Sequence, residues 1–172
     1  MTRARPPFRA AVIAALVPGL APTTASAQED VWKWTSSPQQ TAQGDHCWMG
    51  IGHAGRKFSL HATSGLGNFI GLDAPVLSGL TGEQEGRITF ASDTPQGQRY
   101  TLYWNTGDTP STWVANGIGE DGVIAILQGF IMADTFESGM SVSLGHSAVL
   151  FRFPVSGSTE AAEGFAGCWD QL

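Results

Sequence analysis

The sequence predicts a mainly β (α+β) fold: a compact antiparallel β-sandwich or barrel-like sheet, with a C-terminal helix tied back by one disulfide. Three observations carry that expectation. Glycine is abundant at 22 of 172 residues and charged residues make up only 14%, against about 25% in ordinary domains, so tight turns between short strands are favoured. Short runs of alternating apolar and polar residues recur along the chain, each closed by Gly, Pro, Asn or Asp. Cys47 and Cys168 stand near opposite ends of a segment that follows a secretory-type N-terminus. In an oxidising compartment such a pair reads as one disulfide.

Residues 1–27 have the three parts of a signal peptide: basic Arg3, Arg5 and Arg9, an apolar stretch from Ala10 to Leu20, and Ala25-Ser26-Ala27. Cleavage after Ala27 is expected, leaving residues 28–172 as a single β-rich domain. The apolar stretch falls short of the roughly 20 residues that cross a bilayer as a helix, so no membrane span is expected. Removing three arginines and no acid makes the remainder more acidic than the whole-chain net charge of −6. Nucleic acid and anionic lipid, which need clustered Lys and Arg, are thereby disfavoured as partners.

Val31 to Trp34 alternates and is expected to open the ordered part, with Ser36-Ser37-Pro38-Gln39-Gln40 as a loop after it. Cys47 to Gly52 and Phe58 to Ala62 read as a hairpin. Phe58, Leu60 and Ala62 alternate with Ser59 and His61, which gives that strand one core face and one wet face. Asn68 to Leu72 is a short strand, and Pro75 to Leu80 a turn or edge. Arg87 to Ala91 and Arg99 to Trp104 are strands around the turn Ser92 to Gly97, and Thr112 to Val114 is one more.

From Val123 to Glu137 the spacing of Ile124, Leu127, Ile131 and Phe136 fits a helix face, favoured over the second half. Gly139 stops it, and strands over Ser141 to Leu144 and Ala148 to Phe153 follow, the last ended by Pro154. In the final segment Ser158 is the expected N-cap, Glu160 sits in the first turn, and Ala161, Ala162, Phe165, Ala166 and Trp169 make one apolar face. Cys168 is presented from its last turn.

No motif names a reaction. The two cysteines form no Cys-x-x-Cys, which favours a staple over redox work. His46, His53 and His61 fall close together and are the candidate metal ligands, but their spacing matches no known ligand pattern, so no metal or other cofactor is expected. A turn between Gly55 and Arg56 would set His53 opposite Phe58 and His61 opposite Gly50, with His53 and His61 on opposite faces. Ser147 beside His146 lacks the glycine-flanked nucleophile elbow. Glu83 with Glu85, and Glu120 with Asp121, read as solvated carboxylates beside glycine. Trp32 and Trp34 share one strand face and would form an aromatic binding patch if that strand lies at an edge.

Gly157-Ser158 opening an alanine-rich helix through Ala161 and Ala162 to Cys168 resembles the ending of the invasion-associated locus B family. That resemblance implies a compact, β-rich exported domain without an established catalytic site. The chain departs from the family's usual pattern in having only two cysteines, and no functional residue is carried over.

The expectation that follows is an exported, periplasmic or secreted domain, non-catalytic, that binds an unknown protein or envelope component. A periplasmic hydrolase, metal-assisted through His46, His53 and His61, is one alternative. A small-molecule carrier with a cavity lined by Phe90, Leu102 and Phe130 is another.

Overall fold

A computed structural model describes residues 32–41, 44–90, 98–135, 139–145 and 149–172 of the chain. The expected signal segment, the Ser92–Gly97 turn and the pair His146-Ser147 lie outside the described residues.

Among the described residues nine strands make one antiparallel sheet: β1 (Thr35–Thr41), β2 (Gly44–His53), β3 (Arg56–Thr63), β4 (Gly67–Asp73), β5 (Gln84–Phe90), β6 (Arg99–Thr106), β7 (Thr112–Asn116), β8 (Gly139–Leu144) and β9 (Val149–Pro154). Their order across the sheet is β1-β2-β3-β4-β7-β6-β5-β8-β9. The sheet is open, with β1 and β9 as its edges. Its two halves meet at β6, whose Arg99 to Trp104 pairs with β5 while Asn105 and Thr106 pair with β7. A strand that changes partners in this way turns a corner and lets the halves face each other across a core.

The stretch expected as a loop, Ser36 to Gln40, is instead the middle of edge strand β1, and Trp32 to Trp34, the described part of the segment expected to open the ordered region, lies before that strand. Pro38 is tolerated there because an edge strand needs its ladder groups on one side only, facing β2. Pro75–Gly79, expected as a turn or edge, is a short 3-10 helix.

Helix α1 (Glu120–Thr135) begins earlier than expected, with Glu120 and Asp121 in its first turn, where the helix dipole favours anions. Its buried face is Val123, Ile126, Leu127, Phe130 and Ala133, rotated from the expected one; Ile124 is exposed. The apolar residues of α1 run nearly all round it, so periodicity could not choose the face. Gly129 chooses it, because any Cβ there would drive into the ring of Phe90 on β5. Phe130 then meets Phe90, Trp34 and Phe58 at centroid distances of 4.8, 4.7 and 5.9 Å.

Helix α2 (Ser158–Trp169) buries Ser158, Ala161, Ala162 and Phe165. Its cap is not Ser158 but Gly157, at φ 81°, and the free N–H groups of its first turn find an acceptor on α1. Asp134 takes hydrogen bonds from the backbone N–H groups of Gly157 (3.2 Å) and Thr159 (2.9 Å). These bonds favour the carboxylate and hold Asp134 below its ordinary value against the opposing effect of burial, the larger single cause. Ser158 Oγ–H donates into the core to the Phe130 carbonyl at 3.1 Å.

Cys47 on β2 is bonded to Cys168 in the last turn of α2, with Cα atoms 5.8 Å apart across a sequence separation of 121. The staple joins the two elements that the sequence assigns to it.

The β2–β3 hairpin turns on Ala54-Gly55, with Ala54 at φ 48° and Gly55 at φ 74°. Two successive positive φ values are the type I′ geometry that suits strand twist, and an alanine there carries the left-handed penalty of its Cβ. Replacing Ala54→Asn is expected to raise the unfolding free energy by about 0.5–1 kcal/mol, since Asn tolerates that conformation. Urea unfolding at constant slope measures it, and a midpoint that fails to rise would show that the turn carries no such cost.

Candidate functional site

The turn at Ala54-Gly55 sets the register of the hairpin to His53↔Arg56, Trp48↔His61 and His46↔Thr63. This is two residues away from the expected pairing, and the shift matters. In an antiparallel pair, residues directly opposite share a face and diagonal neighbours on that face are within reach of long side chains. His46 is thereby diagonal to His61, and the two rings meet.

Four rungs cross the outer face of this half. The first carries His46 and Thr63; the second Trp48, His61, Phe69 and Asn116; the third Gly50, Ser59, Gly71 and Val114; the fourth Gly52, Lys57, Asp73 and Thr112. His46 Nε2 lies 2.8 Å from His61 Nδ1, and His61 Nε2 lies 2.7 Å from Ser59 Oγ. Three side chains from two strands thus form one continuous hydrogen-bonded array. Phe69 on β4 stacks on His61 at 4.4 Å with an interplanar angle of 6°, which fixes the plane of the central imidazole.

Ser59 breaks the alternation of its strand. It points to the side opposite Phe58 and Leu60, yet is only 4% exposed. Both of its cross-strand neighbours are glycines. A Cβ on Gly71 would stand 2.9 Å from Ser59 Oγ, and one on Gly50 would stand 3.2 Å from Ser59 Cβ. Glycine inside a strand marks a place where something must come close. At Gly71 the close group is the serine hydroxyl, and at Gly50 it is the Phe58 carbonyl oxygen, 2.7 Å from where a Cβ would stand.

Burial, then the nearby His46 and Lys57, push His61 down from 6.5 to about 4. Burial also lowers His46. Both imidazoles are therefore neutral near pH 7, each with one donor and one acceptor nitrogen. The array can run Ser59 O–H to His61 Nε2 and His61 Nδ1–H to His46 Nε2, or in the opposite sense with both protons reversed.

Two cavities flank the array. One of about 240 Å³ is lined by Lys57, Ser59, His61, Phe69, Gly71 and Val114, among others. The other, about 640 Å³, lies between β1, β2 and the end of α2, with Gln39, Asp45, His46, Gly164 and Leu172 in its wall. His46 borders the larger and His61 the smaller. Trp48 Nε1, on the same face, is buried and has no hydrogen-bond partner among the described residues.

The other residues singled out by the sequence lie elsewhere. His53 is on the opposite face from His61, 4.9 Å from the Trp32 ring. The three candidate metal ligands are therefore not assembled, and no group of three metal-ligating side chains occurs among the described residues. The Trp32–Trp34 patch is corrected likewise. Trp34 is 5% exposed, packs on Phe58 and Phe130, and donates its indole N–H to the Pro154 carbonyl of β9 at 2.8 Å. Trp32 packs edge-on to Phe153 at 5.6 Å. Both tryptophans thus pack toward β9, and Trp34 is buried in the core, so the two do not form an exposed pair.

Phe90 and Phe130 fill their shared space with each other's rings, and Leu102 packs at the margin of that core. Glu85 sits 3.7 Å from Arg87, and Asn105 donates to Glu83 at 3.4 Å, so these carboxylates are engaged with surface neighbours. Ser59, Phe69 and Gly71 are the site residues that sequence reasoning did not select. The available signal was Ser59-x-His61 on one strand, a spacing that sets both side chains on one face.

Comparison with protein-family models, with curated proteins and with solved structures finds no match to this chain.

Proposed function

We propose that this protein is an exported, disulfide-stapled binding domain, and that its ligand is a protein or envelope component held at the two cavities beside the His46–His61 pair. The observation that carries this reading is the outer-face array itself. Polar and aromatic groups converge there on rigid antiparallel strands, and each end opens on a cavity. Such convergence of a few placed polar groups with an aromatic wall is the usual anatomy of a ligand site.

The disulfide supports an oxidising destination. No helix among the described residues is long and apolar enough to cross a membrane. The likeness of Gly157–Cys168 to the endings of the invasion-associated locus B family supports the same assignment.

A photo-crosslinking residue at Gln39, in the wall of the larger cavity, is expected to give one discrete adduct in envelope extract. The same residue at exposed Thr101 on β6 is expected to give none. Equal labelling from both positions, or none from either, would remove the reading.

A further inference from the structure

We propose that Ser59 is an acyl-accepting nucleophile toward small esters, with His61 as its general base and His46 as the positioning residue behind it. The inference rests on the binding reading only in taking the smaller cavity as the place where a ligand sits.

Geometry comes first. A nucleophile and its base must lie within about 2.6–3.2 Å, with a third group orienting the base. Ser59 Oγ to His61 Nε2 is 2.7 Å, and His61 Nδ1 to His46 Nε2 is 2.8 Å. The ring of Phe69, nearly parallel to His61 at 4.4 Å, resists rotation of the base away from the serine. These are three independent restraints on one imidazole.

Access is the second line of argument. Ser59 has Gly50 on one side of its rung and Gly71 on the other, and Gly71 in particular keeps the space beside Oγ and Nε2 free of any side chain. The cavity that Ser59, His61 and Gly71 share holds about 240 Å³, below the roughly 300–1,000 Å³ of sites for drug-sized ligands. It suits an acetyl- to butyryl-sized acyl group, with Val114 and Phe69 as apolar walls.

The chemistry balances with water as the only co-substrate. Ser59 Oγ bonds to the ester carbonyl carbon as its proton passes to His61 Nε2. The bond to the leaving alkoxide breaks, and the alkoxide takes that proton. Water then attacks the acyl-serine and gives a proton to His61; Ser59 Oγ departs and recovers it, releasing the carboxylic acid. His61 Nδ1–H donates to His46 throughout, which fixes the tautomer and eases the positive charge that develops on His61. Burial keeps His61 neutral and so able to accept, but it is a weak base by the same token. Deacylation is accordingly expected to be slow, and the acyl-enzyme is the natural thing to look for.

The test uses the mature, disulfide-intact protein with p-nitrophenyl acetate, p-nitrophenyl butyrate and a fluorophosphonate. One equivalent of acyl or phosphonyl group is expected, located on Ser59 by peptide mass spectrometry. Ser59→Ala is expected to abolish it, and His61→Asn to slow it about a hundredfold or more. His46→Gln is expected to lower kcat with KM unchanged. Gly71→Ala should block labelling while the far-ultraviolet spectrum and melting temperature are retained, and His53→Ala should label as the parent does. Absence of acylation above the free-imidazole rate, or an adduct on another residue that persists in Ser59→Ala, overturns the proposal. Crosslinking at Gln39 without acylation would sink the nucleophile and keep the binding reading; acylation without crosslinking would do the reverse.

Discussion

Replacing Cys47→Ala together with Cys168→Ala is expected to lower the unfolding free energy by about 4–5 kcal/mol, the chain-entropy value for so long a closed loop. The bond spans a separation of 121 residues, and loop-closure entropy grows with length, so few placements in this chain would restrict the unfolded state more. Against the total of about 5–15 kcal/mol that a domain possesses, the loss is a large fraction. Alanine is the right replacement at Cys47, which is fully buried; serine there would add an unpaired hydroxyl and confuse the result.

The remaining hold on α2 comes from Ala161, Ala162 and Phe165 in the core and from Asp134 at its first turn. Denaturant unfolding of the parent with and without reductant, beside the double variant, measures the effect. Agreement between the reduced parent and the variant is expected. A loss under about 1 kcal/mol would mean that packing alone secures the helix and that the long loop is already restricted in the unfolded chain.

Acidification from pH 7 to pH 5 is expected to cost about 2 kcal/mol of stability through His61. The folded state holds this group down to about 4, from an ordinary 6.5. Between those values the unfolded chain binds a proton that the folded chain refuses. Stability is therefore full above about 6.5, falls as pH drops, and stops falling from this source below about 4. The groups facing His61 act in the same direction or not at all. Burial is the main cause, His46 and Lys57 add positive charge, and Ser59 and Phe69 are neutral. His46, lowered by burial, contributes with the same sign.

Asp134, held below the ordinary 3.8, weakens the fold only at lower pH, so the window from 7 to 5 belongs to the histidines. His61→Phe keeps a ring against Phe69 and removes the titration. Its urea midpoint is expected to fall by clearly less than the parent's over this window, the remainder being the share of His46. Parallel pH profiles for the two proteins would show that His61 is not the group responsible.

The site was harder to read than the fold for one physical reason. Strand faces follow from a period of two, so the core side of β3, with Phe58, Leu60 and Ala62, was legible from alternation alone. Which residues meet across strands depends on register, and register depends on a turn. Type I′ turns favour Asn-Gly or Asp-Gly, and Ala54-Gly55 lacks that signal, so the turn expected at Gly55-Arg56 gave a pairing two residues off. A shift of two preserves every face and changes every partner. His53 and His61 stay on opposite faces as expected, but His46 comes into contact with His61, and the glycine opposite Ser59 is Gly50 in place of Gly52.

Helix α1 shows the same division, since its existence was visible in the spacing while its inward face was decided by Gly129 against Phe90. Trp32 and Trp34 would form an aromatic patch only if their own strand lay at an edge. What actually stands at the edge is β1, and the tryptophans before it fold over toward β9.

By itself the sequence determined the β-rich class, the C-terminal helix and the pairing of Cys47 with Cys168, because composition, helical spacing and cysteine count are local or unique properties of the chain. Only the tertiary structure decided the register of the hairpin, the face of α1 and the Ser59–His61–His46 array. Those depend on which of several equally patterned partners is brought near, and that choice is made by turn geometry and close packing at glycine.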